Sequence, residues 1–161
     1  IADFNGPVYL RFGRPKVPNF TTPETGFEVG KGILLNPGTD VTIIATGHLV
    51  WEALKASEEL EREGIYAEVI NIHTIKPLDE DIILKSVQKT GCLVSAEEHN
   101  YLGGMGESIA GLLALKSPCP IEFVATQDTF GESGTPAQLM SKYGLDKKAI
   151  MAKVTSVLKR K

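Results

Sequence analysis

Short runs of β-branched and apolar residues alternate along the chain with stretches whose apolar positions return every three to four residues. DVTIIATG (Asp40 to Gly47) is a β-branched run and reads as a buried strand. From about His48 to Glu63, Val50, Ala53, Leu54, Ser57 and Leu60 recur at the 3.6-residue spacing of an amphipathic helix. Glu58 lies four residues before Arg62, and Gly64 ends the helix. YAEVINI (Tyr66 to Ile72) is the next strand. Pro77-Leu78-Asp79 opens a second helix running to about Thr90, with Ile82, Ile83 and Val87 inward and Gly91 as its stop. CLVSAE (Cys92 to Glu97) is a strand, and Gly106 to Leu115 is a helix apolar nearly all round, hence deeply buried or at a subunit contact. PIEFVA (Pro120 to Ala125) is the last strand, and helices at about Pro136 to Tyr143 and Asp146 to Lys159 close the chain.

The leading residues differ. Val8 to Phe12 reads as a short strand, and Gly13 to Glu24, with Pro15, Pro18 and Pro23, reads as linker. Gly26 to Leu35 is a further strand, ended by the turn Asn36-Pro37-Gly38-Thr39. Strands alternating with helices predict an α/β fold, a three-layer sandwich around a mostly parallel five-stranded sheet. The basic end Lys159-Arg160-Lys161 is expected to cap the negative pole of its own helix.

Composition narrows the function classes. A chain of 161 residues suits one domain with a real core. The net charge of -3 gives no basic field for nucleic acid or an anionic membrane, and no apolar run approaches a membrane span. Cys92 and Cys119 lack metal-ligand spacing and read as buried free thiols in a reducing cytoplasm. The opening IADFNGPVYLRFGR has no methionine and runs straight into a strand-like segment, so the chain reads as a piece of something longer.

In an open parallel sheet, ligands gather at the carboxyl ends of the strands. Three turns fall there: Thr46-Gly47-His48, Asn71-Ile72-His73-Thr74 and Ala96-Glu97-Glu98-His99-Asn100. His48, His73, Glu97 and His99 are therefore a candidate ligand rim, for a metal, an acid/base cluster or a regulatory ligand; separate polar positions on a domain edge are the alternative. Gly103-Gly104-Met105-Gly106 lacks the lysine and serine of a P-loop and reads as a tight turn letting the next helix pack closely. The residues alone describe an α/β domain serving a larger assembly.

Several phrases together carry a resemblance. GPVYLRFGRPK (Gly6 to Lys16), DVTIIATGHLVWEALKA (Asp40 to Ala56), NIHTIKPLDEDII (Asn71 to Ile83), AEEHNYLGGMGESIA (Ala96 to Ala110) and FGESGTPAQLMSKYGL (Phe130 to Leu145) resemble, in order and spacing, the C-terminal part of transketolase. IKPLD is shared with related thiamine-diphosphate enzymes, 1-deoxy-D-xylulose-5-phosphate synthase and the β subunit of 2-oxo acid dehydrogenases, which stand as alternatives. The resemblance implies that residues 1–16 are the last strand of a truncated pyrimidine-binding domain, 17–25 a linker, and 26–161 a C-terminal domain that supports a dimer. It implies a parent enzyme of the cytoplasmic pentose phosphate pathway that moves a two-carbon ketol unit between sugar phosphates. Thiamine diphosphate and magnesium would be held by the remaining domains or a separate N-terminal subunit, and none by this chain, which would be inactive alone. No catalytic residue is implied here. Arg14 matches the arginine that holds the substrate's phosphate, a role suited to a planar guanidinium fork.

Overall fold

Val41–Ala45 (β2) is buried at all five positions, as a β-branched strand with a helix layer on each side must be. It pairs in parallel with Ala67–Asn71 (β3) on one side and with Leu93–Asn100 (β4) on the other. Ile33–Asn36 (β1) adds an antiparallel edge to β3, and Ile121–Thr126 (β5) extends the parallel sheet beyond β4, giving the order β1-β3-β2-β4-β5. The computed structural model describes residues 3–13 and 16–161. Its fold is the three-layer, mostly parallel five-stranded sandwich that the pattern predicts.

Helices Leu49–Arg62 (α1) and Lys147–Leu158 (α5) cover one face, where Val41, Ile43, Leu49, Ala53, Leu60, Val94, Ile150 and Val154 form one core. Helices Glu80–Thr90 (α2) and Met105–Lys116 (α3) cover the other, over Ile44, Ile70, Ile83, Leu93 and Ile109. Each large aliphatic side chain so buried contributes about 1.5–3 kcal/mol. The chain runs from β2 through α1 to β3, then crosses through α2 to β4 on the far side of β2. The order thus reverses between β2 and β4, which places the topological switch at their carboxyl ends.

Several sequence expectations shift. Residues 8–12 form no strand: among the described residues none pairs with them, and Tyr9, Leu10 and Phe12 stay exposed. The expected strand Gly26 to Leu35 pairs only from Ile33. The second helix starts at Glu80 rather than Pro77, because the Asp79 carboxylate caps it, accepting from Ile82 N (3.4 Å) while also accepting from Gly32 N (2.9 Å). α3 buries only the Met105, Ile109, Leu112 and Leu113 side and leaves Leu115 exposed. The basic end reaches other elements instead of its own helix end. Arg160 donates to the Ile121 carbonyl (3.1 Å) and to Glu122 (2.8 Å), and Lys161 to the Asp40 carbonyl (3.2 Å). Both cysteines are free; Cys92 is buried, Cys119 partly so, and burial raises both thiol pKa values.

Between β2, β3 and α2 lies a buried polar chain. Glu68 pairs with Lys89 and accepts from Ser86 Oγ at 2.6 Å. Thr42 Oγ1 is 2.6 Å from Ser86 Oγ and 2.6 Å from Thr90 Oγ1. A hydroxyl has one proton, and a carboxylate only accepts, so Ser86 donates to Glu68 and Thr42 to Ser86, while Thr90 shares its proton between Thr42 Oγ1 and the carbonyls of Ser86 (3.1 Å) and Cys92 (3.3 Å). Ser86→Ala cuts this relay in the middle and strands buried acceptors and donors. It is expected to lower stability by about 2 kcal/mol, measured by urea unfolding, whereas surface serine changes fall within about 0.5 kcal/mol.

Candidate functional site

The switch point is assembled from the turn after β2 and the end of β4. Gly47, at φ 59°, takes the left-handed conformation that turns the chain from β2 into α1, and His48 stands at the head of that helix. β4 alternates between the two helix layers. Leu93, Ser95 and Glu97 face α3, while Val94, Ala96 and Glu98 face α1. The register then breaks: Ala96 pairs Val124 and Asn100 pairs Thr126, so Glu97, Glu98 and His99 stand opposite Ala125 alone. A bulge of this kind re-aims side chains and frees backbone groups from the ladder.

Glu97 points inward and is 3% exposed. Its Oε2 accepts from Met105 N and its Oε1 from Gly106 N, each at 2.8 Å. These are the first N–H groups of α3, where the helix dipole favours an anion. A Cβ on Gly104 would lie 2.6 Å from Glu97 Oε1, and one on Gly106 would lie 2.5 Å from Ser95 Oγ. The glycine-rich turn is therefore shaped around a carboxylate of its own chain, and the helix N-terminus a phosphate would need is already filled.

Glu98 points the other way. Its Oε2 lies 3.3 Å from His48 Nδ1, with the two side chains 40% and 18% exposed. Its carbonyl oxygen accepts from both Arg11 Nη1 (3.3 Å) and Nη2 (3.2 Å). Gly13 backs onto the imidazole, for a Cβ there would lie 2.4 Å from His48 Nε2. The leading segment thus covers the imidazole side of the pair, and Nε2 faces Gly13. Beside it opens a groove of about 540 Å³, lined among others by Lys16, Pro18, Trp51, Glu132, Met140 and Tyr143.

The other rim residues are used separately. His73 stacks on Phe27 at 4.4 Å between ring centroids, with Nδ1 3.0 Å from Thr74 Oγ1 and Nε2 buried without a partner; burial lowers its pKa. His99 is exposed, its Nδ1 2.9 Å from the Asn100 carbonyl. Among the described residues, no three His, Cys, Asp or Glu side chains gather as a metal would require. Arg14 lies outside the described residues. Sequence reasoning missed Glu98, Arg11 and Gly13; the period-two alternation of the doublet Glu97-Glu98 was the signal that one carboxylate faces each layer.

These features define a doubly wound α/β domain whose switch-point rim receives its own leading segment. Residues 30–150 match the family described as "Transketolase, C-terminal domain", and the chain belongs to that family. It is 44% identical over its whole length to a 6-deoxy-6-sulfo-D-fructose transketolase subunit of Clostridium sp., covering 50% of that protein. It is 39% identical, over 99% of its length, to a putative transketolase C-terminal section of Methanocaldococcus jannaschii, covering 51% of it. A 1-deoxy-D-xylulose-5-phosphate synthase of Heliobacterium modesticaldum is 37% identical over 89% of the chain, which covers 23% of that protein. A solved structure described as a split gene transketolase, inactive beta4 tetramer, superposes with TM-score 0.89 and 41% identity, over 92% of this chain and 48% of that one. The chain spans about half the length of the curated transketolase relatives it matches.

Glu97→Gln keeps the size but sets an amide NH₂ against a backbone N–H. It is expected to cost about 2–4 kcal/mol in urea unfolding, because a buried donor at the α3 N-terminus loses a charged acceptor. For His73, folding disfavours the charged ring. Its contribution to stability is full above the usual value of 6.5 and falls as pH drops through 6.5 towards the lowered folded value. His73→Leu, which keeps the contact with Phe27, should flatten the fall in unfolding free energy between about pH 7 and 5.

Proposed function

We propose that the chain is the C-terminal part of a transketolase-type enzyme that moves a two-carbon ketol unit between sugar phosphates in the pentose phosphate pathway of the cytoplasm. The observation that carries this reading is the similarity along the entire chain to half of a transketolase subunit. On this reading residues 1–16 end the pyrimidine-binding domain, 17–25 link, and 26–161 form the C-terminal domain. The remainder of the enzyme lies in further domains or in a separate N-terminal subunit, and two copies pair as a homodimer. The substrate's phosphate is held by Arg14; its neighbours Gly13 and Lys16 lie at the switch-point rim, which supports that role.

On this reading thiamine diphosphate and magnesium are held by the rest of the parent, and this chain has a supporting role. What supports it is that, among the described residues, no three acidic, histidine or cysteine side chains converge. A second reading, the C-terminal part of a 1-deoxy-D-xylulose-5-phosphate synthase, is supported by synthase relatives 34–37% identical to the chain, which covers 23–25% of their length.

Supplied with xylulose 5-phosphate, ribose 5-phosphate, thiamine diphosphate and magnesium, the chain alone is expected to give no sedoheptulose 7-phosphate. Assembled with the rest of its parent, it should give robust turnover. Turnover by the chain alone would refute the supporting role. An assembled enzyme that condensed pyruvate with glyceraldehyde 3-phosphate instead would favour the synthase.

A further inference from the structure

The crevice outside the carboxyl ends of β2 and β4 is where an open α/β sheet receives a ligand. Here it receives residues Arg11 to Gly13 of the same chain. Three contacts act at once: the Arg11 guanidinium straddles the Glu98 carbonyl, Glu98 and His48 face each other at 3.3 Å, and Gly13 closes onto the imidazole. The Glu98 carbonyl can accept because the β4 bulge takes it out of register with β5. The imidazole can accommodate the segment because residue 13 has no Cβ. Arg11 and Gly13 belong to a stretch without regular structure or a buried side chain, so these contacts are what orders it.

We propose that His48 and Glu98 form a socket that fixes Arg11–Gly13, and that they are thereby positioning residues for the phosphate-binding arm of the parent enzyme. The second half of this proposal rests on the reading of Arg14 given above. The C-terminal domain then contributes to substrate recognition without touching substrate. A socket of this kind acts on the phosphorylated end of a ketose and is indifferent to the carbonyl chemistry, because it sets only where the arm stands.

Two readouts separate the socket from the reading on which it rests. In the full 161-residue chain, the ¹⁵N heteronuclear NOE of Arg11, Phe12 and Gly13 reports the order of the segment without any turnover. His48→Ala and Gly13→Ala should lower it to the value of the free tail, while His48→Asn, which keeps an amide N–H near the Nδ1 position, should restore most of it. Gly13 lies outside both cores, so the far-UV spectrum of its variant should match the parent. In the assembled enzyme, KM for xylulose 5-phosphate should rise about fivefold or more in His48→Ala and Gly13→Ala, KM for unphosphorylated xylulose should move less than about twofold, and His48→Asn should rescue. Arg14→Ala sets the upper limit of the effect. NOE values unchanged in both variants would overturn the socket. If Arg14→Ala raises KM while the socket variants do not, the positioning role is overturned. If Arg14→Ala changes nothing, the phosphate reading fails, and the positioning role falls with it, while a lowered NOE would still uphold the socket.

Discussion

The pair of carboxylates at the end of β4 is the constraint around which this domain is arranged. Adjacent residues of a strand point to opposite faces, and β4 is covered by helices on both, so Glu97 and Glu98 must satisfy two different layers. A buried carboxylate costs several kcal/mol unless charge-assisted hydrogen bonds replace its water. Glu97 meets that cost with the two N–H groups at the start of α3 and fixes where the helix begins. The glycines at 104 and 106 follow from this, since a side chain at either would strike the carboxylate, Ser95 or Phe123. Glu98, one residue on and still in contact with water, is free to bind something outside the sheet.

The opposite end of the sheet is closed by different means. The relay from Thr90 through Thr42 and Ser86 to Glu68 binds α2 to the first halves of β2 and β3. The basic C-terminus ties the starts of β2 and β5 through the Asp40 and Ile121 carbonyls. Glu122 belongs to this closure. Burial pushes its pKa up, but hydrogen bonds from Lys153, Arg160 and Ser156 outweigh that and leave it lowered. Its stabilisation is thus present above the ordinary carboxylate range and lost as pH falls through the lowered value.

The core strands and helices were legible because their periodicities are strong and mutually consistent. Val41–Ala45 could be nothing but a buried strand, and Gly64 and Gly91 mark the ends of their helices with φ values of 80° and 73°. What failed was local pairing. Val8–Phe12 has the composition of a strand, but a strand exists only beside another, and no described residue of this chain pairs with it. The rim was read as four residues because three turns each carry a histidine; composition could not show that His73 would turn onto Phe27 or that Glu97 would fold back onto a helix. Arg11 and Gly13 were invisible as site residues because their contacts lie 87 and 35 positions away in sequence, across the bulge and at the head of α1.

The energetics of the rim suit a positioning role better than a rigid joint. Fixing three backbone residues costs roughly 3–6 kcal/mol. A partly exposed histidine–carboxylate pair returns about 1 kcal/mol or less, and a guanidinium shared on one carbonyl about 1–3 kcal/mol. Those contributions together reach about 4 kcal/mol at most and overlap only the lower part of that cost, so the segment in this chain alone is ordered in part. In a partly ordered segment, the loss of a single contact shifts the population most, and a modest gain from a neighbouring domain is enough to complete the order. The closeness of Gly13 to His48 then sets geometry more than affinity: it admits one placement of the segment and excludes others, which is what an arm that must present a charged group at a fixed distance requires.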